Sequence, residues 1–205
     1  MNDKTLSVDV VFDLGNVVVN WDPEGIAESV ADSEEEKSQL LSAFIGTGYW
    51  LELDKGMTTE QEILPRIVAE TGIPAEKVLA CFEMAKTSLS NIPQTLALIS
   101  ELEANGVRMH CLSNMSVETY DYLKERAFFK NFDCTIISGQ VKMVKPESKI
   151  FDLLIENTGK LPAQLLFIDD MEPNISAATA KGIQTVHFKR TAACYQKIRR
   201  LTGLA

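Results

Sequence analysis

The alternation that sets in after Gly106 constrains this chain most. Apolar runs of strand length at 107–112, 134–137, 165–168 and 183–188 alternate with helical stretches at 116–126, 146–157, 173–181 and 191–201. Strands that return through a helix pair in parallel by right-handed crossovers, and a parallel sheet must be covered by helices on both faces. A further run, Val8-Asp9-Val10-Val11-Phe12, reads as the first strand of the same sheet. It ends in a single carboxylate, Asp13, at the edge where open α/β sheets bind ligands.

No strand signal interrupts residues 22–90. Asp22 and Pro23 read as N-cap and first position of a helix reaching 31. Ser33-Glu34-Glu35-Glu36 opens a second with a capping-box pattern and solvated acids that suit the helix dipole, and 46–48 should end it. Thr58-Thr59-Glu60 starts a third, running toward Thr71-Gly72, which Pro65 is expected to kink or to shift at its start. Residues 74–86 form a fourth, and Asn91-Ile92-Pro93 begins a helix that stops at Asn105-Gly106. The expected organisation is a core of residues 1–17 and 91–205 with a helical insertion, 18–90.

Composition narrows the partners. A chain of 205 residues holds one sizeable core with a smaller insertion. A net charge of -9 argues against a nucleic-acid backbone or an anionic membrane as main partner, but not against a small anionic substrate. No run approaches the ~18 apolar residues of a membrane span. Met1-Asn2-Asp3-Lys4 lacks a basic segment followed by an apolar one, so no signal peptide is expected. The 4 cysteines form no CxxC pair, and with 2 histidines they give no pattern for a zinc site. Cys111 and Cys134 read as core residues, and the expected compartment is a reducing cytoplasm. A monomer or weak dimer is expected.

Chemistry collects at the strand ends: Asp13, Ser113-Asn114, and Asp169-Asp170, with Lys145-Pro146 opening a helix. Each alone could be a cap or a helix start; the ordered set of acid, hydroxyl, lysine and paired acids is far more specific. It suits phosphoryl transfer. A carboxylate, Asp13, can attack a phosphate ester and form an aspartyl-phosphate. Two anions repel, so a divalent cation must offset their charge, and Mg²⁺ needs only one or two carboxylates because it keeps several waters. Asp13 and Asp170 would supply those, with the Gly15 carbonyl as a third ligand. Ser113 and neighbouring N–H groups would hold phosphate, and Lys145 adds a compact positive charge.

Phe12-Asp13-Leu14-Gly15-Asn16-Val17, Leu112-Ser113-Asn114, Lys145-Pro146-Glu147 and Phe167-Ile168-Asp169-Asp170 resemble, in order, the four motifs of the haloacid dehalogenase superfamily. The resemblance implies an α/β, Rossmann-like three-layer core with a mostly parallel sheet, residues 18–90 as a C1-type helical cap, and Mg²⁺-dependent phosphatase activity on a small phosphorylated metabolite. By motif match it makes Asp13 the nucleophile and a metal ligand, Lys145 the bridging lysine, Ser113 and Asn114 the phosphate-binding residues, Asp170 a metal ligand and Asp169 an auxiliary one. Asn174 stands where many members have a further acid.

Gly15 departs from the family pattern. Most phosphatases of the family carry a second aspartate there, which protonates the leaving alcohol and later activates water, help worth ~10²–10⁴-fold. The Asp-Leu-Gly-Asn-Val run is similar to that of a bacterial sugar-phosphate branch, glucose-1-phosphate phosphatases included, which implies a sugar-phosphate substrate and activity without this acid; a good leaving group needs less protonation, and an anomeric or acyl phosphate would suit. Asp22, Glu52 and Asp54 are possible substitutes, each reading first as a capping or surface acid. His110 and His187 read as packed core residues, Tyr49 and Trp50 as insertion core, and Lys55-Gly56 as a structural turn. Two alternatives stand beside the phosphatase: a metal-independent 2-haloacid dehalogenase, which typically lacks the paired acids, and a non-catalytic phospho-ligand binder.

Overall fold

The computed structural model describes residues 8–42 and 48–204. β1 (Asp9–Phe12) is buried along its whole length. A helical block follows: α1 (Pro23–Val30), α2 (Glu34–Leu40), α3 (Gly48–Asp54), α4 (Glu60–Thr71) and α5 (Ala75–Thr87). After α6 (Pro93–Ala104) strand and helix alternate as β2 (Met109–Ser113), α7 (Val117–Leu123), β3 (Cys134–Ile137), α8 (Ser138–Val141), α9 (Ser148–Thr158), β4 (Leu165–Asp169), α10 (Glu172–Ala180), β5 (Gln184–His187) and α11 (Ala192–Thr202).

The five strands pair in parallel in the order β3-β2-β1-β4-β5. From β1 the chain steps outward through β2 and β3 on one side. It then crosses back to β4 and β5 on the other, so β1 lies at the point where the winding reverses and a crevice opens beyond the carboxyl ends of the strands. The fold is the expected three-layer, Rossmann-like α/β core. Alternating side chains of β1 feed opposite faces: Val10 and Phe12 pack with Leu98 of α6 and Ile198 of α11, whereas Val11 packs with Phe151 and Leu154 of α9. A third apolar cluster lies within the helical block and includes Ile26, Leu40, Leu53, Ile63, Ile67 and Phe82.

Several boundaries differ from expectation for local reasons. The 107–112 strand starts at Met109, because Val107 donates its N–H back to Leu102 and finishes α6. Pro65 does not shift the start of α4: Thr59 Oγ1 accepts from Glu62 N–H at 3.2 Å and Glu62 Oε2 from Thr59 N–H at 3.0 Å, a closed capping box. The expected end of the second helix lies partly outside the described residues, and Gly48 opens α3, an element the sequence did not announce. Among the described residues no helix is long and apolar enough to cross a membrane.

Candidate active site

The strand ends deliver their side chains to one crevice. Asp13 continues the ladder just past β1, its N–H bonded to Ile168 C=O at 3.0 Å, and its side chain is 10% exposed. Lys145 Nζ lies 2.7 Å from Asp13 Oδ1 and 2.7 Å from Asp169 Oδ2, and is itself buried. The lysine is held from below. Asn114, just past β2, accepts from Lys145 N–H at 2.8 Å and donates to Lys145 C=O at 2.9 Å. The side-chain amide of Asn114 therefore positions Lys145, which leaves the Asn114 backbone N–H for the expected phosphate contact. Ser113 is 1% exposed and is not among the residues lining the cavity above Asp13, whereas the four residues Asn114, Met115, Ser116 and Thr119 that follow on the same side are.

Asp169 is fully enclosed. It accepts from Lys145, from Asn174 Nδ2 at 3.1 and 3.0 Å, and from Met171 N–H at 2.8 Å. Those donors occupy both of its oxygens, which leaves Asp13 and Asp170 as the carboxylates with room for another ligand. Asn174, where the family often has an acid, thus acts on Asp169. Oxygens of Asp13, Asp169 and Asp170 converge within 4.8 Å of one another. With Asp169 already engaged, the oxygens of Asp13 and Asp170 are the ones that suit a hard divalent cation.

The charges show why such a cation fits. Burial pushes the Asp13 carboxyl up to about 7 against the pull of Lys145. Burial and then the charge of Asp169 raise Asp170. Burial works against the Lys145 ammonium, but Asp13 and Asp169 outweigh it and hold its pKa above the usual lysine value. One ammonium does not balance three converging carboxylates, two of them buried.

A cavity of about 280 Å³ opens above Asp13. Gly15, Asn16, Val19, Trp21, Trp50, Asp54, Leu89 and Met171 complete its wall. Trp21 and Trp50 face each other with ring centroids 5.2 Å apart, so Trp50, expected in the core of the insertion, reaches the cavity as well. The three acids weighed as substitutes for the missing aspartate separate here. Asp22 caps α1, accepting from Gly25 N–H at 3.0 Å, and Glu52 pairs with Arg66 at 2.6 Å. Asp54 lines the cavity, and burial, strengthened by the charge of Asp13, pushes its carboxyl up to about 7 against Lys145.

Sequence reasoning missed the supports. Arg190 grips the turn after Asp13, donating to Asn16 C=O at 3.0 Å, Asn16 Oδ1 at 2.7 Å and Asn20 Oδ1 at 2.7 Å. Asn16 takes φ 56°, a left-handed conformation that asparagine tolerates, and also bonds the Asp170 carboxylate. His187 is half-buried rather than core. Its Nε2 donates to Asp170 C=O at 2.9 Å and its Nδ1 faces Glu172 at 2.8 Å. An asparagine after glycine is a turn signal that could have been read; an exposed arginine and an edge-strand histidine carry none.

The chain belongs to the haloacid dehalogenase-like hydrolases, whose family model matches residues 10–182. A sesquiterpene phosphatase of Aspergillus oryzae is 23% identical over 94% of this chain and 95% of its own length. A mutant of a haloacid dehalogenase family enzyme from Bacteroides thetaiotaomicron, crystallised with magnesium and inorganic phosphate, superposes with a TM-score of 0.72 at 26% identity, covering 89% of this chain and 94% of that one. The L-2-haloacid dehalogenase of Xanthobacter autotrophicus superposes with a TM-score of 0.66 at 20% identity, over 96% of this chain and 84% of that one, which is a likeness of fold.

Proposed function

We propose that the chain is a Mg²⁺-dependent phosphatase that hydrolyses a small phosphorylated metabolite through an aspartyl-phosphate on Asp13. The observation that carries this reading is the Asp13 carboxylate held 2.7 Å from Lys145 in a crevice where Asp13, Asp169 and Asp170 converge within 4.8 Å. Asp13, Asp170 and the Gly15 carbonyl would hold the ion, with Asp169 orienting Lys145 beside them. Bound there, Mg²⁺ supplies the positive charge that lets a carboxylate approach a phosphate. Lys145 fixes the attacking oxygen of Asp13 and adds charge on the phosphate side. By the motif match, Ser113 and the Asn114 backbone would receive a phosphate oxygen. The fold supports the dehalogenase alternative equally well, but the paired acids support the phosphatase. The magnesium and phosphate named for the Bacteroides enzyme point the same way.

For the alcohol, the motif resemblance favours a sugar phosphate. The described cavity wall favours a flatter, less polar alcohol: Val19, Trp21, Trp50, Leu89 and Met115 present apolar surface, while the amides of Asn16 and Asn114 are engaged with the protein. The name of the Aspergillus relative agrees with that second class. The helical block 18–90 acts in this reading as the cap that selects the alcohol. The 4 free cysteines of the chain suit work in a reducing cytoplasm.

The test is turnover of an aryl phosphate with and without EDTA, Asp13→Asn as control, then a panel of sugar and alkyl phosphates. Mg²⁺-dependent turnover lost in Asp13→Asn is the expected result. Chloride release from a 2-haloacid in EDTA would replace the reading with the dehalogenase, and tight phosphate binding without turnover of any ester would replace it with a binding protein.

A further inference from the structure

The residue two places beyond the nucleophile cannot move a proton, and the backbone does not force that choice. Gly15 has no positive φ, and a Cβ there would meet Trp21 Cβ at 3.8 Å, an ordinary contact. A proton donor for the leaving alcohol must therefore come from another wall of the cavity. Among its described lining residues, the carboxylates are Asp13, Asp54 and Asp170, and the first and last belong to the attacking and ion-holding side.

Asp54 is held in the cavity by a corner fastened to the core at four points. Its carbonyl accepts from Ser138 Oγ of α8 at 2.5 Å, and the same hydroxyl accepts from Met115 N–H at 2.8 Å. Its carboxylate accepts from Ser116 N–H. The next residue, Lys55, pairs with Glu147 at 2.7 Å, immediately beyond Lys145-Pro146. Gly56 follows at φ 61° and packs so closely on α8 that a Cβ would come within 2.0 Å of Gly139 C=O. These contacts bind the end of α3 to the loop after β2 and to the loop that carries Lys145. Such fastening is unnecessary for a surface acid, and Glu52, two residues earlier on the same helix, has none of it.

We propose that Asp54, delivered by the α3 corner, is the general acid and base of the phosphatase reaction, taking over the task that Gly15 leaves undone. The proposal rests on the phosphatase reading. In the first half-reaction an Asp13 oxygen forms a bond to phosphorus and the bond from phosphorus to the alcohol oxygen breaks. The electron pair stays with that oxygen, which takes the proton of the Asp54 carboxylic acid. Free alcohol leaves, and Asp54 is a carboxylate. In the second, Asp54 takes a proton from water as the water oxygen attacks phosphorus, the Asp13–phosphorus linkage breaks, and inorganic phosphate, Asp13 carboxylate and Asp54 acid are restored. Burial of the Asp54 carboxyl in the cavity wall favours its neutral form, the proton-carrying state the first step needs.

The experiment measures kcat/KM of the full chain with Mg²⁺ on phosphate esters whose alcohols range from strongly acidic phenols to simple alkanols. Wild type, Asp54→Asn and Asp54→Glu are compared. Asp54→Asn is isosteric, keeps an acceptor for Ser116 N–H and leaves the Ser138 and Lys55 contacts intact. It should lose ~10²–10⁴-fold on the alkyl ester and less than about tenfold on the most acidic phenol. That phenol should also appear as a burst equal to the enzyme present, because the aspartyl-phosphate persists without the base. Asp54→Glu should recover part of the alkyl activity. A loss of the same factor across the series, or none, overturns the role of Asp54 while leaving a working phosphatase. Absence of wild-type turnover on every ester overturns the phosphatase reading, and the role of Asp54 with it.

Discussion

At the scale of single residues, Lys145 shows what a buried ion cluster demands. Its ammonium separates two enclosed carboxylates at 2.7 Å each, and its backbone is clasped by Asn114. Removing one partner of a buried pair leaves an uncompensated charge, which costs about 3–5 kcal/mol. Lys145→Met should lose that much in urea denaturation without Mg²⁺, and turnover should vanish. Lys145→Arg should not rescue turnover, because a planar fork cannot take the place of a compact ammonium between two facing acids. A stability loss below about 1 kcal/mol in Lys145→Met would mean that the carboxylates find other partners. The residues of this cluster were legible in the sequence because each ends a strand or opens a helix at one edge of a parallel sheet, and topology alone gathers them. Asp54 was not singled out from Asp22 and Glu52, since its place depends on a corner pressed onto α8. Arg190 was not either, because nothing in Phe188-Lys189-Arg190 distinguishes a clamp on a distant turn from a solvated base.

At the scale of elements, β1 and β2 share a buried polar contact away from the catalytic edge. His110 Nε2 lies 3.3 Å from Asp9 Oδ2, Lys160 Nζ lies 3.0 Å from Asp9 Oδ1, and His110 Nδ1 has no hydrogen-bond partner among the described residues. Burial lowers the His110 pKa, and the attraction of Asp9 only partly offsets it. A group whose folded pKa is depressed stays neutral in the native state while the unfolded chain takes up a proton near the ordinary 6.5. Stability is thus present above that pH and lost as pH falls through the folded value. Urea midpoints should drop from pH 7 to pH 5, with at most about 1.4 kcal/mol per pH unit attributable to this one proton. His110→Gln should flatten that drop; an unchanged slope would assign the acid sensitivity elsewhere. His110 read correctly as a core residue from its strand, and the strands read well in general, because short apolar runs between turn signals and helical stretches, three of them buried along their whole length, fit a parallel sheet. α3 and α8 escaped. Each is at most 7 residues long, and α8 lacks a side-chain cap, so tertiary contact rather than local pattern holds them.

At the scale of the molecule, the sheet core and the helical block have separate apolar clusters, and the chain leaves and returns to the core at one place. Asn20 N–H bonds Ser90 C=O at 2.8 Å and Ile92 N–H bonds Val18 C=O at 2.8 Å, so the outgoing and returning segments form a short antiparallel pair, with Val19 opposite Asn91. That pairing resembles the base of a hairpin and could be closed by a two-residue turn. A chain in which Asn-Gly joins Asn20 directly to Ser90 should therefore keep the parallel sheet and unfold cooperatively, with a smaller urea m-value because less surface is exposed on unfolding. It should still hold Asp13, Lys145, Asp169 and Asp170 together and turn over phosphates of acidic phenols slowly. Turnover of alkyl phosphates should be lost, since Trp21, Trp50 and Asp54 leave with the helical block. If the shortened chain does not fold, the block is part of the folding unit of the sheet rather than a separate layer laid over it. If it folds and retains alkyl phosphate turnover, the proton for the leaving alcohol comes from the sheet side of the cavity and not from α3.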